Sequence, residues 1–214
     1  AEEQNRLVAT MVHELSAATS RSAAANIIVE AAQKLCGWDA CFLHLYDAGK
    51  DLLENLVARD LVDGRITDVR LSETYEHPSP LLRDILQRGA KLVLRGVTPT
   101  EELPLVAFGD TKRRSASMMY VPVMEADRPV GVLSIQSYRP KAYTPASLAL
   151  LTSLAEHCAG ALARIRAEEI LQQSEKRFRS LIENASDMIT VLNLDGTARF
   201  VSPSVERVLG YQSA

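Results

Sequence analysis

Chemistry in this 214-residue chain has few side chains to draw on: four histidines, three cysteines and dispersed carboxylates. In the alternating run 38–46, Cys41, Leu43 and Leu45 share one face of a strand, and Phe42, His44 and Tyr46 share the other. Ser134 and Gln136 of a later strand belong on the same face as His44. If the loops between 60 and 115 roof that face, Tyr75 and Phe108 complete an aromatic pocket with polar handles. The competing reading of His44 is a half-buried histidine satisfied by a backbone carbonyl. Cys36, Cys41 and Cys158 are odd in number, lack C-x-x-C spacing and sit among apolar residues, which predicts buried reduced thiols rather than redox or zinc chemistry. Lys112-Arg113-Arg114 is the one basic cluster, either a hold on a ligand phosphate or carboxylate or a solvated loop.

Other constellations fail on inspection. His13-Glu14 begins an H-E-x-x-H pattern, but Ala17 occupies the second ligand position; an exposed helical histidine is the expectation. The same segment, MVHELS, lacks the proline and ATP-binding segment that a phosphoacceptor histidine would need. No G-x-G, no G-x-x-x-x-G-K-[ST] and no G-x-S-x-G occurs. The chain carries no metal-ligand cluster, and no cofactor is indicated. With 47% hydrophobic and 24% charged residues the composition is that of a soluble globular protein. A net charge of −3 and a pI near 5.9 leave no basic footprint for nucleic acid. No apolar run approaches the ~20 residues of a membrane span, and the N-terminal AEEQNRLVAT has neither the basic start nor the apolar middle of a signal peptide. A cytoplasmic chain without membrane contact is expected.

The elements that must position these residues are legible from periodicity. The longest is a helix over 144–184, capped by Thr144 with Pro145 in its first turn. Leu148, Leu151, Ala155, Cys158, Leu162 and Ile165 recur at alternating steps of three and four, the seam of a helix packed lengthwise on a partner. Beyond Ile165 the seam turns polar at Glu169 and Gln172, while Ile170, Leu171, Phe178, Leu181 and Ile182 drift to a new face, the mark of a change of packing partner. An amphipathic helix is predicted over 2–18, with Leu7, Val8, Met11, Val12 and Leu15 inward, and a second from a Ser22 cap to Leu35, stopped by Gly37. Strand 38–46 returns through a turn at 47–50 into 52–59. From 60 to 105 the pattern loosens to one short helix ending at Gly89, a brief strand at 91–94 and a loop over 98–110. Two strands joined at 125–128 follow and should be central in the sheet. Helices flanking one antiparallel sheet, the first and last paired on one face, make an α+β sandwich.

SMMYVPVMEADRPVGVLSIQSY and the Leu-rich helix after it resemble the C-terminal half of a GAF domain: Ser, hydrophobics, Val-Pro, a turn, Gly-Val-Leu, then a tyrosine before a polar cap. SEKRFRSLIENASDMITVLNLDGTARFVSPSVERVLGY resembles the opening of a PAS domain, through Phe178, Leu181, Asn184, Ala185, Asp187, Ile189, the turn Asn193-Leu194-Asp195-Gly196, Ser202, Ser204 and Leu209-Gly210-Tyr211. A PAS fold needs about 100 residues, so the resemblance implies a unit continuing beyond residue 214. It also implies a division into a GAF domain with an N-terminal dimer helix (1–166), a connector helix (167–180) and the start of a PAS domain (181–214). Some GAF proteins reduce free methionine sulfoxide with loop cysteines, others bind cyclic nucleotides with an Asn-Lys-Phe-Asp-Glu signature, and others attach bilins through a pocket cysteine. None of these patterns is found here. The implied function is a sensory module of a bacterial-type signalling protein. It would be a homodimer through its N- and C-terminal helices, answer to an unidentified small molecule, and relay to an output such as a histidine kinase or diguanylate cyclase. The alternatives are a small-molecule enzyme on the same scaffold and a ligand-free dimerisation scaffold.

Overall fold

A computed structural model describes residues 2–69, 75–96, 113–185, 187–205 and 210. It divides into two units, residues 1–165 and 166–214. The elements in chain order are α1 (Glu2–Ala17), α2 (Arg21–Cys36), β1 (Ala40–Asp47), β2 (Leu52–Val62), β3 (Arg65–Asp68), β4 (Tyr75–Glu76), α3 (Pro80–Arg88), β5 (Lys91–Leu94), β6 (Ser117–Glu125), β7 (Arg128–Ser137), α4 (Pro145–Glu183), β8 (Thr190–Leu192) and β9 (Ala198–Val201). The fold is α+β, an antiparallel sheet flanked by helices with a long helix after the last strand of that sheet.

In the first unit the strands run β3-β2-β1-β7-β6-β5, all neighbours antiparallel, with β4 added beside β2. Strand parity then sorts side chains between two layers. Cys41, Leu43, Leu45, Met119, Val121, Leu133 and Ile135 join one core with α1, α2 and α4. Phe42, Leu53, Ala58, Met118, Tyr120 and Val132 join another with Leu81, Leu82, Ile85 and Leu86 of α3. Gly131 is fixed by close approach: a Cβ there would lie 2.5 Å from the His44 carbonyl oxygen across the β1–β7 pair.

The helices begin and end for identifiable reasons. α2 is capped by Ser20, whose hydroxyl accepts the Ala23 N–H at 3.2 Å, two residues earlier than the Ser22 cap the sequence suggests. Gly37 closes it at φ +67°, a region costly for other residues. Trp38 belongs to the helical layer rather than the strand, its indole N–H donating to the Val29 carbonyl at 3.0 Å. The α4 entrance is a reciprocal box, Ser147 N–H to Thr144 Oγ1 (3.2 Å) and Thr144 N–H to Ser147 Oγ (3.3 Å). The Arg164 guanidinium donates to the carbonyls of Leu15, Ser16 and Ala18, closing the end of α1 with a cation, as the helix dipole favours.

Some expectations need correction. Val12 is exposed, since α1 buries only Met11 and Leu15. The stretch after Asp60 holds more strand than its sequence suggests: β2 runs on to Val62, and β3 and β4 follow. By length and composition α4 also passes as a candidate membrane span, a test that a long core helix passes as well. Its apolar side chains Leu151, Leu154, Ala155, Cys158 and Leu162 are buried in the helical core instead. Cys41 and Cys158 are buried, but Cys36 is only partly so.

The second unit holds the α4 residues from Arg166 and the β8–β9 hairpin. The hairpin turns at 193–196, where Gly196 takes φ +84° and Asp195 Oδ1 accepts from the Thr197 N–H and hydroxyl. Buried Ser202 and Ser204 bond each other at 2.6 Å and tie 187–189 to the end of the hairpin. Ile170, Leu171, Phe178 and Leu181 are exposed, so the apolar stripe that fills the first unit's core as far as Ile165 is not continued after it. Leu209 and Tyr211 lie outside the described residues.

Candidate ligand site on the sheet

The β1–β2 hairpin decides which side chains meet His44. Its turn at 47–50 is pinned by Asp47 Oδ1, which accepts from the N–H groups of Gly49 and Lys50. Counting back from it sets Tyr46 opposite Leu53 and His44 opposite Asn55. A bulge between Leu43 and His44 then makes Leu56 the extra residue, so that Leu43 faces Val57 and Phe42 faces Ala58. On the other side of β1, Phe42 faces Ser134, His44 faces Val132 and Ala40 faces Gln136. Phe42, His44, Tyr46, Ser134 and Gln136 therefore share one face, the one covered by α3.

Their hydrogen bonding divides them. Gln136 Oε1 accepts from the Ser115 hydroxyl at 2.6 Å, and its amide nitrogen reaches Ser134 Oγ at 3.5 Å. The Tyr46 hydroxyl donates to Asp51 Oδ1 at 2.9 Å. Asp51 also takes both arms of the Arg83 guanidinium, at 3.0 and 2.9 Å, which anchors α3 to the hairpin and, with the tyrosine, holds the Asp51 carboxyl below the usual carboxylate range. His44 has no such arrangement. It is 4% exposed, and neither ring nitrogen has a hydrogen-bond partner. Its Nδ1 lies 3.7 Å from Glu76 Oε1 of β4, close enough for charge attraction and too far for a hydrogen bond. Burial pulls its pKa down to about 4, so the ring is neutral at pH 7. Phe42 lies against it with ring centroids 4.5 Å apart, and Tyr120 continues the aromatic wall 6.2 Å from Phe42.

Asn55, which the sequence analysis did not single out, carries the second orphan: its Oδ1 is buried without a partner. The signal was available, because the turn at 47–50 fixes the register that puts it opposite His44. Tyr75 pairs with Glu54 through its backbone, and Phe108 and Lys112 lie outside the described residues. Arg113 stacks over the Tyr138 ring, 4.1 Å from its centroid, and donates to the Leu61 carbonyl. The Tyr138 hydroxyl in turn donates to buried Asp60 at 2.5 Å. The chain's three thiols all pack on the helical side of the sheet, away from His44. Burial pushes Cys36 up to about 11 and Cys41 and Cys158 up to about 12, so all three stay protonated at neutral pH. Among the described residues no three His, Cys, Asp or Glu side chains gather to hold a metal. The helix seam is placed as follows: Leu151, Ala155, Cys158, Leu162 and Ile165 are buried in the first unit's core, and Leu148 packs against it.

This architecture defines a class: an α+β domain with one apolar sheet face closed by α1, α2 and α4 and the other, bearing aromatic and polar groups, packed against α3. A family model described as the GAF domain matches residues 18–163, well over half of the chain, and the chain belongs to that family. No curated protein sequence matches it. Among solved structures, the GAF domain of an Acinetobacter phosphoenolpyruvate-protein phosphotransferase is 20% identical with a TM-score of 0.59, over 78% of this chain and 96% of that one. The free methionine-R-sulfoxide reductase of Neisseria meningitidis, solved with its substrate, is 16% identical with a TM-score of 0.58, over 77% and 91%. The chromophore-binding domain of the R. palustris bacteriophytochrome RpBphP3 is 12% identical with a TM-score of 0.56, over 78% and 63%. At these identities the likeness is one of fold.

Proposed function

We propose that this chain is a sensory module in which a small molecule binds the α3 face of the sheet at His44 and changes the packing of α4. The observation that carries this reading is His44, buried with both ring nitrogens unpartnered, together with the buried, unpartnered Oδ1 of half-buried Asn55 on the same face. Burying such groups unpaired costs about 1–3 kcal/mol each, a cost that a bound ligand offsets. The helical layer is the route out. α4 belongs to the first unit's core as far as Ile165 and continues as one helix to Glu183. Its exposed Ile170, Leu171, Phe178 and Leu181 suit a homodimer that pairs through the N- and C-terminal helices. Polar Glu169 and Gln172 between the two stripes keep the pair from locking into one packing, and a coupling of about 1–3 kcal/mol is enough to shift it. The β8–β9 hairpin, its turn at 193–196 and the Ser202–Ser204 knot favour the start of a PAS domain as receiver, ahead of an output such as a histidine kinase or diguanylate cyclase.

The likeness to a methionine sulfoxide reductase favours a second reading, a small-molecule reductase. Cysteine chemistry at His44 is opposed by the position of all three thiols beneath the helices. Melting curves with metabolite pools, followed by assay of the pools for products, separate the readings. The sensor gives a melting shift without turnover, and sedimentation at rising concentration gives a dimer. Product formation, or no shift with any pool, would overturn it.

A further inference from the structure

The chemistry of the two orphans says what sort of ligand they receive. His44 and Asn55 are directly opposed on antiparallel strands, where Cβ atoms lie about 4.5–5.5 Å apart, yet they do not bond each other. The Glu76 carboxylate beside Nδ1 favours the tautomer with its proton on that nitrogen. Nε2 is then an acceptor lone pair, and Asn55 Oδ1 is a second one. Two acceptors on neighbouring strands, with a carboxylate next to them, have no use for an anion and are satisfied together by a group that donates two N–H bonds.

We propose, resting on the sensor reading above, that the His44–Asn55 pair recognises a small nitrogenous ligand through an –NH2 or amidinium group, beside the Phe42 and Tyr120 rings. One N–H goes to His44 Nε2 and the other to Asn55 Oδ1. Carboxylates and phosphates are rejected, because they bring acceptors to acceptors and a negative charge to Glu76.

Benzamide, benzamidine and benzoate present nearly the same shape as a neutral donor, a cationic donor and an anion. The other three histidines, His13, His77 and His157, are exposed. The ring nitrogens of His44 therefore give a distinct signal in nitrogen-15 spectra of the full chain, and the others serve as internal controls. Benzamide, benzamidine or both should move the His44 nitrogens while leaving the controls in place, with Kd at least about tenfold below that of benzoate. His44→Phe and Asn55→Leu should each abolish the response. Benzamidine acting alone assigns a cationic ligand paired with Glu76, and benzamide binding equally well assigns an uncharged one. The inference is overturned if benzoate binds as well as the other two, or if Asn55→Leu leaves the response intact. It is equally overturned if no probe at about 10 mM, a concentration that detects Kd values in the millimolar range, moves His44. If all three probes are silent while a metabolite pool still raises the melting temperature, the nitrogen-donor inference falls and the sensor reading stands. Silence from the pools as well removes both.

Discussion

The two faces of one sheet are built from the same strands and do opposite work. On the helical face, Cys41, Leu43, Met119, Val121, Leu133 and Ile135 meet three helices in a continuous apolar layer. The polar groups at its border are bonded, as with the Trp38 indole to Val29 and the Tyr143 hydroxyl to Gly37. One residue further along each strand, the opposite face carries Phe42, His44, Met118, Tyr120, Val132 and Ser134. Among the described helices only α3 contributes to this core. There, among the described residues, the His44 ring nitrogens and Asn55 Oδ1 are left without partners. The difference shows how a period of two lets a strand hold one apolar core with one set of residues while the alternate set carries aromatic and polar groups on the other face.

Neighbouring substitutions on β7 should expose the division most strongly. Leu133→Ala empties space in the helical core and is expected to cost about 3 kcal/mol in urea denaturation. Ser134→Ala, on the other face, should cost about 1 kcal/mol or less. Equal losses would mean that both faces are ordinary core.

Acid provides the next test. The His44 pKa is depressed from 6.5 to about 4, so the folded state holds the neutral ring. Its contribution is complete above the unfolded value of 6.5 and is lost as pH falls from there toward 4. At 1.36 kcal/mol per unit the difference amounts to about 3 kcal/mol. Stability curves of the wild type and His44→Phe should diverge between pH 6.5 and 4, with the wild type falling faster. Parallel curves would show that the ring reaches water or a partner.

Much of this fold can be read from periodicity, because burial sets parity on strands and a three-to-four step on helices. The seam from Leu148 to Ile165, the β6–β7 pair and the face shared by Phe42, His44, Ser134 and Gln136 follow from those rules. The strands beyond Asp60 do not, because β3 is exposed on every residue and so carries no alternation. The Ser20 cap depends on backbone angles that Ser22 could equally adopt. Asn55 is the instructive case, since its place opposite His44 follows from the turn at 47–50, while the bulge that sends Leu56 and Val57 to the helical core leaves no trace in composition. That Ser134 and Gln136 are bonded within the protein, whereas His44 is not, depends on distances that no pattern encodes.

The smallest effect is the most discriminating. Asn55→Leu and Gln136→Leu both replace an amide on the α3 face with an apolar side chain, but they should move stability in opposite directions. Gln136 accepts from Ser115 and donates toward Ser134, so its loss strands the Ser115 hydroxyl and should lower stability by about 1 kcal/mol. Asn55 has a buried oxygen with nothing to satisfy it. Removing that oxygen relieves a desolvation penalty and should raise stability by about 1 kcal/mol, a Tm gain of about 2–4 °C at this chain length. A chain under selection for stability alone would discard such a group. A gain in stability on removing the oxygen is the pattern expected where stability is given up for binding. If Asn55→Leu destabilises as Gln136→Leu does, then Oδ1 is bonded in solution, and the contrast between the two faces reduces to one of roofing.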